Sequence, residues 1–193
     1  PMLSNIFLHE VLDVWFEKDI KPRLRGEGHL ARYADDFICM VQYVEDAQVM
    51  VEALRKRFTQ YGLELHPDKT RVMSFGRYEQ ENAQRQNRKP NAFDFLGFKH
   101  YCGRSKKGRF LLGRMTSSKK YRKKIKAMNQ WLKAVRNQTK VKEWWSVLQA
   151  KLRGHYQYYG VSGNYLAIGQ FYRQTLTLVL KWLYRCSQVT SFN

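Results

Sequence analysis

The chain has few cysteines and prolines and, in its second half, almost no acid. Its three cysteines (Cys39, Cys102, Cys186) are odd in number, far apart and lack zinc-type spacing. They exclude a disulfide framework and read as buried or free thiols in a reducing compartment. No apolar run reaches roughly 18 residues, so no membrane span is expected. No charged stretch followed by an apolar one opens the chain, so secretion is not expected either. Acid is the most uneven absence. Of 35 Lys+Arg and 16 Asp+Glu, 14 and 15 lie in residues 1–98, leaving 21 and the single Glu143 for residues 99–193. The overall +19 therefore divides into about −1 and +20. A half so charged repels itself unless it faces a polyanion. Nucleic acid is the first candidate and an anionic membrane surface the second. The membrane reading needs a lipid-facing apolar stripe, whereas the helices below need their stripes for each other.

At 193 residues the chain suits one large domain or two small ones. Leu3, Ile6, Phe7, Val11, Val14 and Trp15 predict an amphipathic helix over 2–16, with Pro1 in its first turn and a charged loop over 18–28. Glu45 or Asp46 is expected to cap a second helix (Ala47, Met50 or Val51, Leu54, Phe58 inward) closed by Gly62. Leu63-Glu64-Leu65 and Arg71 to Phe75 read as short strands about a turn holding His66, and Phe93 to Phe98 as another strand. Residues 77–92 read as a long loop or partly disordered insert, and Gly103 to Gly113 as a mobile basic segment. Three amphipathic helices follow. One runs over 118–136 with Tyr121, Ile125, Met128, Leu132 and Val135 inward. The second covers 141–158 with Trp144, Trp145, Leu148 and Leu152 inward, and the third runs from an Asn164 cap to about Cys186 with Ile168, Phe171, Tyr172, Leu176, Val179, Trp182 and Leu183 inward. Together they read as a small bundle.

Tyr33-Ala34-Asp35-Asp36 lies between two apolar runs, Leu30 to Tyr33 and Phe37 to Val41. Strand-forming residues flanking turn-forming acids predict a β-hairpin with paired carboxylates at its tip. An Asp pair in a turn often serves only local hydrogen bonds. Held beside other acids, it also suits a divalent-metal site for phosphoryl transfer.

An ordered series surrounds that pair. Pro1-Met2-Leu3-Ser4-Asn5-Ile6-Phe7-Leu8 with Leu12-Asp13 precedes Arg32-Tyr33-Ala34-Asp35-Asp36-Phe37. Gly62-Leu63-Glu64-Leu65-His66-Pro67-Asp68-Lys69-Thr70 and Phe95-Leu96-Gly97-Phe98 follow. The series resembles the palm of group II intron reverse transcriptases, including their YxDD box. Leu152-Arg153-Gly154-His155-Tyr156 and Trp182-Leu183-Tyr184-Arg185 resemble the maturase-specific thumb, domain X, of the same family.

The resemblance implies an α+β fold. A partial palm (an antiparallel sheet with helices on one face) over 1–100 and a basic connector over 101–117 would precede an all-α three-helix thumb over 118–193. It implies Mg²⁺, with Mn²⁺ as a substitute, on Asp35 as principal ligand and Asp36 as supporting ligand. Lys69 would stand near the triphosphate, with a solvated turn lysine as the plainer reading. Phe95, Leu96 and Gly97 would form a primer grip; at Gly97 the plainer reading is a β-bulge. Arg104, Lys106, Lys107, Arg109, Arg114, Lys119, Lys120, Arg122, Lys123, Lys124 and Lys126 would meet phosphates, and Trp144, Trp145, Tyr156, Tyr158 and Tyr159 could stack on bases, with a core position as the plainer reading for Trp144.

The implied parent is an RNA-directed DNA polymerase and maturase in the bacterial cytoplasm. It would bind structured intron RNA, an RNA template with a DNA primer, and dNTP. The family's other metal-binding Asp and its fingers lie upstream of the motif at Pro1, so a fragment is expected, inactive alone. The rivals are a non-catalytic RNA-binding maturase and a retron, diversity-generating or CRISPR-associated reverse transcriptase. The thumb disfavours the latter group.

Overall fold

The computed structural model describes residues 2–138 and 140–189, with side chains described to residue 185. The expectations for Pro1 and the Cys186 thiol lie outside these residues. The chain divides into two compact units, 1–73 and 74–193, and is α+β as expected, with two antiparallel sheets and helices in both units.

The first unit opens on α1 (Met2–Leu8), which continues through π-wound segments His9–Val14 and Phe16–Ile20 into a 3₁₀ turn, Lys21–Arg23. The expected loop thus starts only at Leu24. Pro22 does not stop the helix earlier, because it sits at the start of the 3₁₀ turn, where its missing N–H costs nothing. The i→i+5 winding also moves the inner face. Val11, Leu12, Trp15, Phe16 and Ile20 are buried, while Leu3, Ile6 and Phe7, expected inside, are exposed.

Strands β1 (Gly28–Tyr33) and β2 (Asp36–Val41) pair antiparallel. Leu30, Phe37 and Cys39 face the buried helix residues and α2 (Val44–Gln60), which contributes Met50, Leu54 and Phe58. Both helices thus cover one face of the hairpin. Asp46 does not cap α2. It lies inside the first turn and accepts a bond from the Arg25 N–H (3.1 Å). Gly62 does close α2, with the Leu63 N–H bonded to the Phe58 carbonyl (2.8 Å). No strand forms over 63–65 or 71–75; Leu63 and Leu65 pack their side chains on the core without a partner strand for their backbone.

In the second unit the polar stretch 77–92 contains α3 (Glu79–Arg85) and is tied down by one buried acid. Glu79 accepts bonds from Arg88 Nη1 (2.6 Å), the Asn91 N–H (2.7 Å) and the Ser74 hydroxyl. The Arg88 bond foremost holds its carboxyl down at about 2. Strands β3 (Ala92–Phe95), β4 (Phe98–Arg104) and β5 (Phe110–Thr116) form an antiparallel sheet in sequence order. The segment expected to be a mobile connector is therefore a hairpin. Gly113 signals close packing rather than mobility, because a Cβ there would lie 2.2 Å from the Tyr101 ring that crosses it.

Helices α4 (Ser118–Val135), α5 (Val141–Tyr159) and α6 (Tyr165–Val189) bury Met128, Leu132, Trp144, Leu148, Phe171, Val179 and Trp182 together. Asn164 stands before α6, its carbonyl bonded to the Ile168 N–H, but its buried side chain turns to the sheet and α5 instead. No helix among the described residues is long and apolar enough to cross a membrane.

Candidate metal and nucleic-acid site

The β1–β2 connection is the tightest available, with Tyr33 paired to Asp36 and only Ala34 and Asp35 between them. Ala34 has φ +54 while Asp35 keeps a negative φ, the signature of a type II′ hairpin turn. Glycine usually fills that first position; alanine holds it only under strain. Asp35 thus sits at the tip and Asp36 begins β2, on the side away from the helices. Both are exposed, and among the described residues neither carboxylate makes a hydrogen bond or ion pair. The support behind them is polar. Arg32, one residue before the box, forks onto Asp13 with bonds of 2.6 and 2.7 Å and reaches the Ala34 carbonyl (3.0 Å). That fork holds the Asp13 carboxyl below the usual carboxylate range.

Lys69 closes the 67–69 turn, its N–H bonded to the His66 carbonyl (3.1 Å), and its side chain is exposed. Among the described residues no bond joins it to Asp35 or Asp36, and His66 is an exposed turn residue. Two free thiols are described. Cys39 is half-buried, with burial pushing its pKa up to about 12, and the buried Cys102 accepts from the Gly76 N–H.

The Phe95 to Phe98 motif forms a second tight turn. Phe95 pairs with Phe98, and Leu96 (φ +49) and Gly97 (φ +81) form a type I′ loop, so there is no bulge. Side chains from α5 fix its position. Tyr158 Oη donates to the Leu96 carbonyl (2.7 Å), and Phe98 packs on the rings of Tyr158 and Tyr159. The Gly97 carbonyl accepts from the Ser117 N–H (3.0 Å). The close approach that Gly97 provides in the structure is to Tyr159, whose hydroxyl would lie 2.9 Å from an added Cβ. Tyr159 is buried and cannot stack on a base; Tyr158 is exposed, and so are Trp145 and Tyr172, both expected on the inner faces of their helices.

The cationic residues fall on two elements of the second unit. Arg104, Lys106, Lys107, Arg109 and Arg114 line the β4–β5 hairpin, and Arg104 is partly neutralised by Glu81 (2.9 Å). Lys119, Lys120, Arg122, Lys123, Lys124 and Lys126 are exposed on α4, with Lys119, Lys123 and Lys126 opposite its apolar stripe and Lys124 beside it. Lys124 lies 4.7 Å over the Tyr159 ring, and burial lowers its pKa.

The fork between Arg32 and Asp13 and the Ser117 N–H had no role in the sequence reading, and Tyr158, expected to stack on a base, instead holds the second turn through its hydroxyl. A two-residue loop between aromatic-rich runs signals the second turn; no pattern signals partners dozens of residues away.

Residues 1–100 match the family model for reverse transcriptase (RNA-dependent DNA polymerase). No curated protein and no solved structure matches the chain. The matched stretch covers just over half of the sequence and contains both tight turns and Lys69. The chain belongs to the reverse transcriptase family of RNA-dependent DNA polymerases.

Proposed function

We propose that the chain provides the metal-binding hairpin and the nucleic-acid-binding helices of an RNA-directed DNA polymerase of the group II intron type. It would also act as a maturase on its structured intron RNA in the bacterial cytoplasm. The observation that carries the polymerase reading is the Asp35–Asp36 pair, which stands free at a strained two-residue turn inside the family-matched residues.

The pair fits Mg²⁺ in kind. Both donors are hard carboxylate oxygens not engaged elsewhere among the described residues. Mg²⁺ characteristically takes one or two protein carboxylates and completes its shell with water and substrate phosphates. No group of three or more candidate ligands occurs among the described residues. The chemistry supplied by Mg²⁺ at such a pair is charge stabilisation at the attacking 3′-oxygen and the departing pyrophosphate. Asp35 would be the principal ligand and Asp36 would support it. Lys69 would offer a cation to the triphosphate of the incoming dNTP. The Phe95–Leu96–Gly97 turn would grip the primer strand, and the β4–β5 hairpin and α4 would hold the RNA backbone. The maturase part rests on the +20 half and on the resemblance of α5 and α6 to domain X.

The test is primer extension by the polymerase that contains this chain. Asp35→Ala is expected to lower extension at least about a thousandfold, because an unneutralised transition state costs several kcal/mol. RNA affinity should stay within twofold. Extension retained by the variant would refute the catalytic assignment. A wild-type protein that binds intron RNA tightly but extends no primer would favour the non-catalytic maturase.

A further inference from the structure

Arg32 is the last helix-facing residue of β1 before the acid turn, and four guanidinium N–H groups are committed around that turn. Nε and Nη2 donate to the two carboxylate oxygens of Asp13 (2.7 and 2.6 Å). Nη1 donates to Asn5 Oδ1 (3.2 Å) and to the Ala34 carbonyl (3.0 Å). The side chain is only 13% exposed. One guanidinium therefore ties the turn both to α1, through Asn5, and to the π-wound segment, through Asp13.

The bonded carbonyl is the informative one. It belongs to the central peptide of the turn, between Ala34 and Asp35. Rotation of that peptide changes ψ of Ala34 and φ of Asp35 together, and with them the direction of the Asp35 side chain. A type II′ and a type I′ turn differ by such a rotation. Ala34 at φ +54 gives the type II′ form no intrinsic advantage, since glycine, not alanine, is at ease there. An external bond must hold the peptide in one orientation.

We propose that Arg32 is a positioning residue for Asp35: through the Ala34 carbonyl it locks the central turn peptide and so aims the metal-binding carboxylate. The inference rests on the reading of Asp35 as a metal ligand. Lysine cannot replace it, because a point-charge ammonium lacks the planar fork that meets Asp13, Asn5 and Ala34 at once. Residues that orient metal ligands from behind typically change metal affinity or activity ten- to a hundredfold when replaced.

The experiment uses the polymerase containing this chain and measures kcat, the Mg²⁺ concentration at half-maximal rate and the template–primer Kd. Arg32→Lys is expected to lower kcat ten- to a hundredfold and raise the Mg²⁺ requirement, with template–primer Kd within twofold and the protein still folded at the assay temperature. Adding Ala34→Gly should recover most of the lost kcat and restore the Mg²⁺ requirement, since glycine holds the type II′ position unaided. Asp13→Asn keeps an acceptor but loses the charge, so it should give a smaller loss in the same direction; it serves as the test if Arg32→Lys does not fold. Unchanged kcat and Mg²⁺ requirement in a folded Arg32→Lys or Asp13→Asn protein would overturn the proposal. So would no recovery on adding Ala34→Gly, or a loss confined to template–primer affinity. Asp35→Asn, measured alongside, separates the two levels: if it stays fully active, the ligand reading itself fails, whatever Arg32 does.

Discussion

Asn164 shows how much of the second unit depends on one amide. Its Oδ1 accepts from the Thr116 N–H (2.8 Å), while Nδ2 donates to Thr116 Oγ1 (2.9 Å) and to the Tyr159 carbonyl (2.8 Å). The group is fully buried, so removing it strands an N–H and a carbonyl away from water. Asn164→Ala is expected to destabilise the chain by about 2–3 kcal/mol, read as a lowered midpoint in urea or thermal unfolding. Asn164→Asp should cost more, because a buried carboxylate oxygen would then face the Tyr159 carbonyl. The residue was visible in the sequence as a helix cap, and its position before α6 agrees; its bonds to Thr116 and Tyr159 were not visible, because they join residues distant in the chain. The same contrast holds around the acid pair. Asp35 and Asp36 could be read because tight turns leave a local signature, whereas Arg32 and Asp13 meet across 19 residues.

Element by element, legibility followed local periodicity. The stripes of α4, α5 and α6 are legible at their central positions because a regular helix repeats its inner face, while Trp145 and Tyr172, at the stripe edges, are exposed. The helix from Met2 was misjudged because π-winding changes the repeat, and 77–92 because its order comes from one buried acid rather than from apolar pattern. The bundle also hides a group that no pattern reveals. His155 on α5 is buried, stacked on Phe171 of α6 with ring centroids 3.7 Å apart, and among the described residues neither of its nitrogens has a hydrogen-bond partner. Burial first, and Lys124 second, push its pKa down to about 4. The ring is thus neutral when folded but takes a proton near its ordinary value when unfolded. The unfolded state binds more protons between pH 6.5 and 4, so stability is fully present above pH 6.5 and declines as pH falls through that window. The loss should be roughly 3 kcal/mol by pH 4. His155→Phe keeps the stacked ring and removes the titrating group. Its unfolding midpoint should be at least as high at pH 7, and the decline between pH 6.5 and 5 should disappear. A wild-type midpoint flat over that range would contradict the burial argument.

Across the whole molecule the strongest regularity is charge, and it separates the two proposed roles. The acid hairpin lies in the near-neutral part of the sequence, while 21 of the 35 cationic residues follow residue 98 against one acid. Where exposed lysines meet phosphates, binding releases counterions, and log Kd should vary linearly with log salt, each contact adding about 0.7 to 0.9 to the slope. Lys119, Lys123 and Lys126 all lie exposed on α4. Replacing the three with glutamine should weaken RNA binding and reduce the slope by about 2 to 2.7 if each meets a phosphate. Lys56→Gln, an exposed change on α2 in the near-neutral half, should alter the slope by much less. Filter binding or fluorescence anisotropy on a structured RNA, repeated between about 50 and 200 mM salt, gives both numbers. A triple variant with an unchanged slope would show that α4 faces solvent, not RNA, and would shift the electrostatic footprint to the β4–β5 hairpin. The slope is the deciding quantity, because lost helix stability lowers affinity at every salt concentration, whereas a lost phosphate contact also flattens the line.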